Sequence, residues 1–174
     1  MEKKVLVEMK GDLLDLFDKG MFDAIGHGAN CFCRMRSGIA GQIAQKFPGA
    51  VEADNKTVPG ALNKLGNFTK WTHPDGQVLY NLYTQYNYGR DENIVYVSYI
   101  GLRQAMEGMK AELLDQRRDG HFISVGFPII GCGLANGDWE IVKGIIEDVW
   151  NEPFILPHII HYSPTEESQP EKLI

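Results

Sequence analysis

Short apolar runs of strand length alternate with stretches of helical period along the chain, and this alternation is what most restricts the fold. Val5–Lys10, Phe68–Thr72, Val78–Thr84, Phe122–Pro128 and Ile155–Tyr162 read as strands, and Asp23–Ile25 opens another. His73-Pro74-Asp75-Gly76 is a turn signal joining two of them. Leu13–Phe17 reads as a short helical turn. Gly38–Phe47 has apolar residues at 39, 40, 43, 44 and 47, which is helical spacing, and Pro48 and Gly49 are expected to stop it. Residues 50–66 read as a short helix and a turn. Glu92–Arg117 reads as one long helix with Leu102, Ala105, Met109 and Leu113 on one side, and Trp139, Val142, Ile145, Ile146 and Val149 define another. Strands that alternate with helices predict an α/β fold, a three-layer α/β/α sandwich around a central mixed sheet. In such sheets ligands bind outside the carboxyl ends of the strands. The glycine-rich stretches at 26–40 and 128–138 both stand where a strand ends and a helix follows.

The 174 residues suit one domain, expected over 1–163, followed by a polar tail at 164–174. The net charge of −6 disfavours extended nucleic-acid binding, which calls for a basic surface. A small anion remains compatible with it, because backbone N–H groups bind phosphate without side-chain charge. No apolar run approaches the roughly 20 residues that span a bilayer, and the N-terminal MEKKVLVEMKGD has too short an apolar core for a signal peptide. A cytoplasmic monomer without membrane contact is expected. Three cysteines, Cys31, Cys33 and Cys132, make no disulfide framework, and no second His or Cys pair follows at zinc-finger spacing, so neither metal nor cofactor is expected.

Four stretches could carry chemistry. Gly131-Cys132-Gly133-Leu134 is either a tight strand-to-helix turn or a nest of N–H groups for an anion, backed by the positive end of the next helix. Cys132 has no base beside it in sequence that would make it a nucleophile. Arg36-Ser37-Gly38-Ile39-Ala40-Gly41 also leads into a helix, either as an ordinary cap through Ser37 or as a second phosphate loop. In Gly26-His27-Gly28-Ala29-Asn30, His27 is flanked by glycines and expected near a cleft, as a structural histidine or as a general acid, base or nucleophile. Asn30 is a turn residue or a partner for a ribose hydroxyl. Asp12 and Asp138 each precede a helix, as caps or as a partner of an exocyclic amine (Asp12) and a proton-transfer group (Asp138).

Together GDLLDL, HGANCFCRMRSGIAGQIAQKFP and FPIIGCGLANGDWEIV, in this order and spacing, resemble the macro domain family over roughly Lys3 to Tyr162. The resemblance implies a mixed sheet between helices and a site for ADP-ribose. It implies that Asp12 meets the adenine amine with Leu13 beside it and that Asn30 faces the distal ribose. Ser37, Gly38, Ile39 and Ala40, with Ile130, Gly131, Cys132, Gly133 and Leu134, would embrace the diphosphate.

The chain looks most like the single-domain ADP-ribose-1''-phosphate phosphatases, in which a histidine stands at the position of His27 and an aspartate similar to Asp138 is a candidate partner. The expected activity is therefore phosphate release from ADP-ribose-1''-phosphate, with His27, Asp138 and Asn30 as the catalytic set. A pure binder of ADP-ribose or a related nucleotide, or an ADP-ribosyl hydrolase acting on modified protein or nucleic acid, are the alternatives. The family's ADP-ribosyl-glutamate hydrolases carry a catalytic lysine after the middle strand and an acid directly after the GCGL motif. Gln85 and Ala135 stand at those positions here, and neither can form a Schiff base or move a proton. Arg36-Ser37 also replaces the glycines usual in the first loop.

Overall fold

The computed structural model describes residues 5–164. The chain folds in the order β1 (Val7–Gly11), α1 (Leu13–Asp18), β2 (Ala24–Asn30), α2 (Gly38–Lys46), α3 (Pro48–Asn55), β3 (Phe68–Thr72), β4 (Val78–Gln85), α4 (Tyr99–Asp115), β5 (Ile123–Phe127), α5 (Trp139–Val149) and β6 (Ile155–Tyr162). The strands form one sheet in the order β1-β6-β5-β2-β4-β3. All neighbours run parallel except β3, which returns antiparallel on β4 and so makes the sheet mixed.

Period-two alternation sends the apolar residues of each parallel strand to two faces, and a helical layer covers each. On one face Ile25, Leu79 and Ile160 pack with Leu14 and Phe17 of α1, Ile43 of α2 and Ala50 of α3. On the other, Ala24, Leu82, Val125 and Ile159 pack with Leu102, Met106 and Met109 of α4 and Val142 and Ile146 of α5.

Several boundaries differ from the sequence expectation. β1 begins at Val7, and Val5 is exposed. α2 ends at Lys46, ahead of Pro48 as expected, but Pro48 also opens a further helix, α3, at its first turn, where a missing N–H costs nothing. The long helix predicted from Glu92 starts only at Tyr99, capped by Ser98, whose Oγ accepts from Gly101 N at 3.0 Å. Residues 91–97 are drawn away from helix by the loop after β5. Asn136 Nδ2 donates to the carbonyls of Asp91 (3.0 Å) and Ile94 (2.8 Å), and Tyr96 N donates to Ala135 O at 2.9 Å. The polar tail expected at 164–174 lies, apart from Pro164, outside the described residues.

The site is positioned by the way β2 and β5 part. They share register only at Ala24↔Val125 and Ile25↔Gly126, whereas β2 stays paired with β4 to its end. After β2 the chain crosses toward β3 at one edge, and after β5 it crosses to β6 on the other side. Opposed crossovers leave a crevice at the carboxyl ends of the two strands.

Candidate functional site

A cleft of about 570 Å³ occupies that crevice. Its floor is Gly28, Ala29 and Asn30 at the end of β2 and Gln85 at the end of β4. One wall is the start of α2, with Ser37, Gly38, Ile39 and Ala40. The other is the turn after β5, with Ile130, Gly131, Gly133, Leu134 and Ala135. Gly131 has φ +74°, and a Cβ there would stand 2.9 Å from Val97 Cγ2, so the turn requires glycine for conformation and for space. Gly38 has φ +56°. Ser37 is the N-cap residue of α2, yet its side chain makes no capping bond; its Oγ accepts from Arg90 Nη2 at 3.3 Å.

Asn30 lines the cleft with its amide used locally: Oδ1 accepts from Phe32 N at 2.9 Å and Nδ2 donates to Arg34 O at 3.1 Å. One amide hydrogen and one lone pair remain for a ligand. Cys132 sits in the turn beside the lining residues, and burial followed by the nearby Asp138 carboxylate pushes its thiol up to about 11. It is therefore a thiol at neutral pH.

The structure does not bring the remaining candidates into this cleft. Leu13, the first residue of α1, is buried in the core. Asp12 caps α1, its Oδ1 accepting from Leu14 N (3.1 Å) and Asp15 N (3.2 Å), and it borders a shallow depression beside Gln42 and Gln45. Asp138 is exposed and caps α5, Oδ1 accepting from Glu140 N at 2.9 Å. Each cap contributes about 1 kcal/mol to its helix.

The expectation that His27 lies near a cleft is corrected: it is 0% exposed. It points to the α2/α3 face of the sheet, where Nε2 lies 2.7 Å from Asn81 Oδ1. Asn81 Nδ2 donates to Ala50 O and Thr69 Oγ1, which fixes the amide and makes Oδ1 the acceptor. His27 is then the neutral Nε2–H tautomer. Burial lowers its pKa below the ordinary value, opposed by the Asn81 bond.

The charged residues of the lining are Arg34, Arg36 and Arg90, with Tyr88 beside them and neither carboxylate nor lysine among them. In a chain of net charge −6 this is a local inversion of sign. Arg34 and Arg36 sit inside a stretch read for its glycines and serine, and Arg90 is distant in sequence, so only the fold assembles the three. No group of three or more His, Cys, Asp or Glu among the described residues is placed to hold a metal ion, and no helix among them is long and apolar enough to cross a membrane.

No family model matches the chain. It is 33% identical over 143 residues to the uncharacterized 17.5 kDa protein of the tk-vs intergenic region of Enterobacteria phage T4, covering 80% of this chain and 86% of that protein. It is 32% identical over 136 residues to the ADP-ribose glycohydrolase OARD1 of Bos taurus, covering 78% and 80%. Among solved structures, the macrodomain of Mycobacterium tuberculosis DarG matches with a TM-score of 0.69 at 20% identity, over 94% of this chain and 100% of that one. Thermosipho africanus DarTG in complex with ADP-ribose matches with a TM-score of 0.65 at 15% identity, over 97% and 43%. With this identity to OARD1 over more than two thirds of both chains, and the fold it shares with solved macrodomains, the chain belongs to the macro domain family.

Proposed function

We propose that this protein binds ADP-ribose in the cleft and releases the phosphate of ADP-ribose-1''-phosphate. The observation that carries the reading is the lining itself, with three arginines and no carboxylate in an acidic chain. A ligand that ends in a phosphate monoester carries more negative charge than ADP-ribose, and guanidinium groups match phosphate geometry. In this reading the diphosphate lies between the Ser37–Ala40 and Ile130–Leu134 walls, and Asn30 holds the distal ribose with its free amide valences. Asp12 keeps Oδ2 for the adenine amine while Oδ1 caps α1.

Phosphoryl transfer needs positioning and charge stabilisation more than covalent help. A water oxygen attacks phosphorus, the bond from phosphorus to the anomeric oxygen breaks, and a proton from that water ends on the leaving oxygen, giving ADP-ribose and inorganic phosphate. The arginines and the loop N–H groups stabilise the equatorial oxygens. We assign His27 to the scaffold behind β2 and Asp138 to capping, because a proton-transfer group must reach the reacting atoms.

A second reading, binding without turnover, is favoured by the lack of any carboxylate, imidazole or amine in the lining. The glycohydrolase activity named for the OARD1 relative fits less well, since Gln85 and Ala135 stand in the cleft where the resemblance calls for a lysine and an acid. The test is phosphate release from ADP-ribose-1''-phosphate by the purified protein, beside calorimetry with ADP-ribose. Release that is lost on replacing Arg36 and Arg90 together by Gln, in a protein that still melts cooperatively, supports the phosphatase. Tight binding without release leaves the binder.

A further inference from the structure

Residues 86–98 between β4 and α4 form an irregular strap along one side of the cleft. Tyr88, Gly89 and Arg90 line the cleft. From Asp91 onward the strap is fastened to the opposite wall, by Asn136 Nδ2 on the carbonyls of Asp91 and Ile94 and by Tyr96 N on Ala135 O. Arg90 therefore projects from the last position before an anchored segment, and the backbone that carries it is already ordered.

The three arginines differ in what holds them. The Arg34 guanidinium lies 5.8 Å from the centroid of the Tyr88 ring, a cation–π contact. The Arg36 side chain makes no hydrogen bond or ion pair with the described residues. Arg90, alone of the three, donates a hydrogen bond to another lining side chain, reaching Ser37 Oγ at the start of α2 through a long bond of 3.3 Å to a neutral hydroxyl. That bond is weaker than a charge-assisted one to phosphate, and it leaves the rest of the five-donor guanidinium fork unused. The partner is readily exchanged, and the exchange costs little ordering because the strap is fixed.

We propose that Arg90 is the residue that distinguishes the phosphorylated from the unphosphorylated ligand, giving up the Ser37 hydroxyl for the oxygens of the terminal phosphate. This rests on the function proposed above and assigns its specificity to one side chain on the strap. Arg34 and Arg36 contribute to the field that draws the anion in, and Arg90 makes the directional contact.

The test uses calorimetry with two ligands that are not turned over, ADP-ribose and its 1''-phosphonate analogue. The wild-type protein binds the phosphonate more tightly. In Arg90→Gln the phosphonate weakens by roughly ten- to hundredfold, the loss of a charge-assisted hydrogen bond, while ADP-ribose weakens by less than about threefold. Arg90→Lys recovers part of the preference, as a point charge without the fork. Arg103→Gln, which breaks an exposed ion pair with Asp148 on the α4/α5 side, is the control that changes neither. Equal losses for both ligands in Arg90→Gln would place Arg90 on the shared diphosphate and overturn the inference, and so would an undiminished preference. A wild-type protein with no preference would overturn the proposed phosphatase as well, so the two failures read differently.

Discussion

Two sets of polar side chains lie close to the carboxyl end of β2, in opposite surroundings. Behind the strand, Asp54 and Lys64 are 1% and 6% exposed. Lys64 Nζ stands 3.8 Å from Asp54 Oδ1, 3.4 Å from Cys33 Sγ and 4.6 Å from the centroid of the Tyr83 ring, while Tyr83 OH donates to Asp54 Oδ1 at 2.7 Å. His27 and Asn81 close a neighbouring network to Ala50 and Thr69. In front, the arginines of the cleft are exposed, and their partners are an aromatic face, a hydroxyl or none among the described residues. A buried charge must be satisfied inside the protein. A charge at a cleft mouth can wait for a ligand. The first set therefore holds loops and helices in place, and the second is available for recognition.

The sharpest way to break this contrast is to strand one buried charge. Asp54→Ala leaves the Lys64 ammonium without its carboxylate in a site closed to water, and should cost about 3–5 kcal/mol in urea unfolding. Asp54→Leu combined with Lys64→Met removes both charges and should recover much of that loss. If Asp54→Ala costs less than about 1 kcal/mol, the range for an exposed pair, the cluster is wetter than its burial indicates.

A smaller effect is expected from His27→Gln, about 1–3 kcal/mol for a disturbed buried hydrogen bond, with ADP-ribose affinity unchanged. The pH dependence sharpens the test. The folded-state pKa of His27 is lowered from the ordinary 6.5, so in acid the unfolded chain takes up a proton that the folded one resists. The stabilisation is fully present above 6.5 and is lost as pH falls below it. Melting temperature should drop from pH 7 to pH 5 in the wild type, and the slope should be shallower in His27→Gln. Ligand binding that collapses in this variant while its fold is intact would return His27 to the site.

The same histidine shows how far the residues can be read without the fold. Glycines on both sides of position 27 suggested an open place. In β2 they serve packing instead: a Cβ on Gly26 would stand 2.9 Å from Leu82 and Phe127, and one on Gly28 would stand 2.8 Å from Thr84 Oγ1. Alternation then turns position 27 toward α3. β6 was legible end to end because its apolar run and its flanks agree, and α5 because its apolar stripe and its Asp138 cap agree. The segment from Glu92 to Val97 was not, because Asn136, remote in sequence, decides its conformation. The two glycine loops of the cleft were legible from local chemistry. The arginine rim was not, because it joins residues on either side of two intervening strands.

Gly131→Ala tests the cleft wall. It asks for φ +74° from a residue with a Cβ and presses that Cβ toward Val97, a cost of about 1–2 kcal/mol in stability. The turn must shift to accommodate it, so ADP-ribose affinity should fall, by about tenfold or more if diphosphate contacts come from this backbone. A stability loss with affinity intact would remove the turn from the binding surface.

The smallest effect concerns reactivity. Cys132 lies in that same turn and would be a natural nucleophile if its thiolate were populated. Its pKa of about 11 is raised first by burial and then by the Asp138 carboxylate. At pH 8 the thiolate is therefore on the order of one part in a thousand, against roughly a quarter for an unperturbed cysteine. Iodoacetamide labelling at Cys132, followed by peptide mass spectrometry, should be slower by about a hundredfold than that of a free thiol. Asp138→Asn removes the smaller of the two causes, so labelling should quicken only modestly. Fast labelling of the wild type would mean that the turn carries a reactive thiolate, and a covalent intermediate in the cleft would have to be reconsidered.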